Sequence, residues 1–190
     1  MMKRAILSAL VILFADAMPA LAHSGHGSGL TDGLAHPITG IDHLLAMVAV
    51  GVWAAMLGSR AIIALPVVFV LSMIAGSGLA IGGGLTSPGA EPLIAASLLL
   101  LGGAIATGTA PNLPLAVGIT AIFAFAHGEA HGLEYTAGAD AGLYVAGFAT
   151  TTALLHATGV GAACAVRHYA HLQRAFGCLT AAVGVTLLAA

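Results

Sequence analysis

Six apolar runs follow one another between Gly40 and Ala190 with almost no charge inside them, and this feature constrains the fold more than any other. A helix that crosses hydrocarbon needs roughly 20 apolar residues in succession, and inside such a run a helix bonds all of its own backbone donors and acceptors. The runs extend from Gly40 to Leu57, Ala61 to Ile81, Glu91 to Thr107, Leu113 to His131, Ala139 to Ala165 and Arg174 to Ala190. Breaks rich in Gly and Pro, such as GGGLTSPGAEP and TGTAPNLP, separate them. With 59% hydrophobic and 6% charged residues, the chain lacks the polar side chains that a water-soluble surface requires. The expectation is an all-α polytopic membrane helix bundle, six transmembrane helices over residues 40–190, in contact with membrane lipid and without a soluble second domain. A formal net charge of -2, with no basic stretch interleaved with aromatics, argues against nucleic acid as a partner.

Residues 1–22, MMKRAILSALVILFADAMPALA, read as a cleaved signal peptide: Lys3 and Arg4, an apolar stretch, then the small-x-small site Ala20-Leu21-Ala22. Cleavage there makes His23 the new N-terminus. Residues 23–39 read as a polar, His-containing periplasmic lead-in, with Asp32 capping a turn. Arg60, Arg167 and Arg174 fall in or near loops that six spans place on one side, and retained positive charge marks that side as cytoplasmic. Both ends of the mature chain are then periplasmic, with the bundle in a bacterial inner membrane. Cys164 and Cys178 fall toward the reducing side, where free thiols are expected. The spacings Gly78/Gly82 and Gly138/Gly142 match the small-xxx-small pattern of close helix packing in lipid.

Against this apolar background, FAFAHGEAHGLEY concentrates titratable groups. On a helix His127, His131 and Glu134 share one face at i, i+4 and i+7, and Glu129 points elsewhere. HPITGIDHLLAM brings His36, Asp42 and His43 to the same external membrane face. Asp42 there is an oxygen ligand or an acceptor that fixes an imidazole tautomer. Glu91 opens a helix on that side, His156 lies well inside the fifth span, and His23 adds an imidazole beside a terminal amine. A lone charged group at a helix centre costs about 3 kcal/mol or more in hydrocarbon, and a shared divalent metal ion offsets that cost. Imidazole and carboxylate without thiolate suit nickel, cobalt or zinc. The ion is cargo on this reading, with no prosthetic group. His168 and His171, near arginines, read as loop residues. HGEAH superficially matches the H-E-x-x-H pattern of a zinc hydrolase, yet Gly128 stands where that chemistry needs its general base. A membrane-bound metal sensor or buffer is the other alternative.

The same residues carry a family resemblance. HPITGIDHLLAMVAVGVWAA, FAHGEAHGLE and GFATTTALLHATG, behind a signal peptide, resemble the HupE/UreJ family of nickel or cobalt permeases over essentially the whole mature chain. The resemblance implies secondary import of nickel or cobalt, often serving hydrogenase or urease maturation, with zinc as a surrogate ligand. The family's histidine and acidic motifs fall on His36, Asp42 and His43, then on His127, His131 and Glu134. Tyr135 departs from the proline expected after the glutamate, which bears on where the helix ends.

Overall fold

The computed structural model describes residues 29–83 and 89–190. The expected signal peptide, His23 and the first part of the lead-in lie outside the described residues. Within them the chain is all-helical: α1 Gly29–Thr39, α2 Ile41–Leu57, α3 Ser59–Ile81, α4 Ala90–Thr107, α5 Leu113–Leu133, α6 Ala141–Ala165 and α7 Ala170–Ala189. The helices α3 to α7 are each long and apolar enough to cross a membrane. The pair α1–α2, bent by 80° at its break, passes the same test when taken together, so the described residues hold five candidate spans, or six if that pair is one broken span.

Local chemistry sets the ends. Asn112 and Asp140 cap α5 and α6 by accepting from the backbone N–H of Leu115 and Leu143, the usual way to satisfy the free donors of a first turn. Gly58, at φ 104°, makes the one-residue turn between α2 and α3. Gly108, at φ 74°, closes α4 in the left-handed conformation that glycine adopts without strain. Pro66 inside α3 is tolerated as in other membrane helices.

Many large apolar side chains face outward while several polar ones are buried inside. Ile63, Leu71, Ile122 and Leu154 are all more than 60% exposed, whereas His127, His131 and His156 are wholly buried. Lipid solvates the former and would penalise the latter, so the exposure pattern is that of a polytopic membrane bundle. Close helix pairs run through glycine. A Cβ on Gly51 would meet the His156 carbonyl of α6 at 2.2 Å, and one on Gly128 would meet the Met73 carbonyl of α3 at 1.9 Å. The spacings singled out from sequence have other roles: Gly78 faces open space and Gly138 sits in a loop at φ 97°.

Part of the expected lead-in folds as α1, with Asp32 in its first turn rather than in a capped turn. It packs on α6 through backbone approach, not large apolar side chains. A Cβ on Gly33 would lie 2.1 Å from the Tyr144 carbonyl, and the Thr151 hydroxyl donates to the Leu34 carbonyl at 2.9 Å. Hydropathy is blind to such an interface. Cys164 and Cys178 are free and exposed.

Candidate metal site

The break at Gly40 builds the first half of the site. Gly40 is the extended N-cap of α2, and a Cβ there would meet Asp42 Oδ1 at 2.7 Å and His43 Nδ1 at 3.2 Å. Without one, Asp42 and His43 fold against the start of the helix. Asp42 Oδ1 accepts from the His43 backbone N–H at 2.8 Å and contacts His43 Nδ1 at 2.9 Å. A carboxylate only accepts, so Nδ1 of the neutral ring carries the hydrogen and Nε2 the lone pair. Nε2 of His43 is buried with no hydrogen-bond partner among the described residues.

The second half comes from the last turns of α5. His127 Nδ1 contacts the Phe123 carbonyl at 2.9 Å, which again places the hydrogen on Nδ1. Its Nε2 is likewise buried and unpartnered among the described residues. His131, one turn on, stacks on Phe148 of α6 with ring centroids 5.1 Å apart, and its backbone carbonyl accepts from the Tyr144 hydroxyl at 2.9 Å. Neither of its ring nitrogens is hydrogen-bonded among the described residues. The His43 ring lies 5.2 Å from that of His127 and 4.7 Å from that of His131.

His36, near the end of α1, completes the cluster. Its ring sits edge-on to His131 at 4.6 Å, and its Nε2 pairs with Glu134 Oε2 at 2.7 Å. Glu134 follows the last residue of α5. The hydrogen bond from His36 is the main influence holding its carboxyl below the usual glutamate range. Tyr135 donates its hydroxyl to the Ala139 carbonyl, which ties the loop after α5 back on itself. Proline is not needed to end the helix there.

Six residues singled out from sequence, His36, Asp42, His43, His127, His131 and Glu134, thus meet at one end of the bundle. His156 is separate: buried, unpartnered at both nitrogens among the described residues, and 4.9 Å from the Phe69 ring, which itself lies 5.4 Å from His127. Glu91 is exposed at the start of α4 and forms no ion pair with the histidines among the described residues. Glu129 is buried on another side, lining a groove with Ser72, Ala75 and Phe125. Phe69, Phe148 and Tyr144, which position the imidazoles, carry no sequence signal apart from core composition. Among the described residues no three His, Cys, Asp or Glu side chains already converge to hold an ion. The imidazoles edge one another instead.

The HupE / UreJ protein family model matches residues 10–187. This chain belongs to the HupE/UreJ family. As a HupE/UreJ protein with five to six candidate spans, it is a multi-pass membrane protein. It is 41% identical over 154 residues to Protein HupE of Rhizobium leguminosarum bv. viciae, covering 80% of each chain. No solved structure matches this HupE/UreJ member.

Proposed function

We propose that this protein is a secondary permease that carries nickel or cobalt inward across the bacterial inner membrane for metalloenzyme maturation, with hydrogenase or urease as the downstream system. The single observation that carries the reading is the buried pair of imidazole Nε2 atoms on His43 and His127. Both lone pairs are set by a hydrogen bond at the other nitrogen, and both lie inside a membrane bundle with no protein partner among the described residues. Neutral imidazole presented in this way is a ligand for borderline divalent ions. His131, His36, Asp42 and Glu134 complete the mouth, His23 and Glu91 serve as outer capture groups, and His156 receives the ion farther in. Transport needs binding strong enough to strip part of a hydration shell and weak enough to release.

Arg60, Arg167 and Arg174 belong to the end of the bundle opposite the histidine mouth, so the positive-inside rule directs the mouth to the periplasm. Hydrolysis is the weaker reading, because Gly128 packs on Met73 where a general base would be needed and Glu129 lines a different groove. The test is nickel and cobalt accumulation by cells expressing the native chain or His36→Ala, Asp42→Ala, His43→Ala or His127→Ala at equal membrane abundance. Accumulation should fall at least tenfold in each variant, because losing a ligand or its orienting partner typically costs 10–100-fold in affinity. It should also fall as the medium is acidified, since protonated imidazole does not bind metal. Native-level accumulation in the four variants would refute the assignment.

A further inference from the structure

Just inside the histidine mouth, two thioethers meet one hydroxyl. Thr152 Oγ1 lies 3.2 Å from Met47 Sδ and 3.7 Å from Met73 Sδ, and all three side chains are fully buried. On the same helix Thr150 and Thr158 bond back to the carbonyl four residues earlier, and Thr151 reaches the Leu34 carbonyl of α1. Thr152 turns to the sulfurs instead. One hydroxyl hydrogen cannot satisfy both, so the group has more lone pairs than donors. His156 stands one turn from Thr152 on the same face of α6, wholly buried and with both ring nitrogens unpartnered among the described residues. Helix periodicity joins this group to the mouth: Met47 follows His43 by one turn of α2, and Phe148, stacked on His131, precedes Thr152 by one turn of α6. Phe69, one turn before Met73 on α3, packs its ring against both His127 and His156.

We propose that Met47, Met73, Thr152 and His156 form a second, inner cation site of mixed sulfur and nitrogen donors, with Phe69 packed against both it and the histidine mouth. The proposal rests on the permease reading and deepens it. The inner donors are all uncharged, whereas the mouth holds Asp42 and Glu134, so affinity falls along the inward path and the inner site favours release. Thioether sulfur and imidazole select borderline transition-metal ions over hard, oxygen-seeking Mg2+ and Ca2+. The inner site therefore acts as the selectivity step behind a mouth whose carboxylates also attract hard ions.

The test uses the full-length protein purified in detergent, titrated with Ni2+ by calorimetry in the presence of excess Mg2+ and examined by X-ray absorption at the nickel edge. The native protein should bind two ions, with sulfur among the scatterers. The near-isosteric double variant Met47→Leu/Met73→Leu should lose the sulfur contribution and the second equivalent while keeping the first. A native spectrum of nitrogen and oxygen alone, or one unchanged by the double substitution, would overturn the inner site without recourse to any variant that fails to fold. Proteoliposome uptake separates the two readings. Uptake without a sulfur scatterer refutes the inner site and leaves the permease standing. A sulfur scatterer lost in the double variant, without uptake in the native protein, supports the inner site and refutes transport.

Discussion

At the scale of single residues, the ligand-like groups owe their readiness to hydrogen bonds that point away from the site. Asp42 and the Phe123 carbonyl each take the Nδ1 hydrogen of one imidazole and leave its Nε2 with the lone pair. Glu134 plays a different part, holding His36 across the gap between α1 and the end of α5. Its carboxyl is held below the usual value of 4.5, chiefly by the His36 hydrogen bond. A depressed carboxylate stabilises the fold above its ordinary value, and this contribution is lost as pH falls through the lowered one. Thermal melting of the native protein should therefore include an acid-induced loss of stability beginning below about pH 4.5, and Glu134→Gln should remove that component. Identical pH profiles for the two proteins would show that the pair contributes nothing. The titratable members of the mouth were legible in the sequence because charge is scarce in this chain. The supporting contacts were not: a backbone carbonyl such as that of Phe123 has no residue signature, and Phe148 looks like any core aromatic.

At the scale of helices, the fold depends on backbones meeting where side chains are absent. Gly128 lets α5 lie against Met73 of α3, and that approach sets the depth at which His127 and His131 enter the interior. Gly128→Ala forces backbone away from backbone and should destabilise by about 3 kcal/mol or more, seen as a lower unfolding temperature in detergent. Gly78→Ala on the neighbouring helix faces open space and should be neutral or stabilising by up to about 1 kcal/mol. Equal effects at the two positions would contradict the packing described. The six long apolar runs were readable from hydropathy alone, and the helices lie where those runs are. The helix α1 escaped that reading because its interface is made by Gly29, Gly33 and a threonine hydroxyl reaching a carbonyl. Small-residue spacing was too common in a chain with 26 glycines to identify the pairs that pack.

At the scale of the whole molecule, a bundle with apolar surface outside and imidazoles inside has one end rich in histidine and carboxylate and the other bearing arginine. On the proposed permease reading, a divalent ion entering at the histidine end would gain about 4.6 kcal/mol by crossing a potential of about 100 mV, negative inside. On that reading the potential alone would favour import, with no nucleotide required. The direct test is uptake of radiolabelled nickel into proteoliposomes under an imposed potential, negative inside, with the native protein beside His127→Ala. The account predicts saturable uptake that rises with the potential and is lost in His127→Ala. Uptake indifferent to that substitution, or none by native protein that still binds the ion, would contradict it.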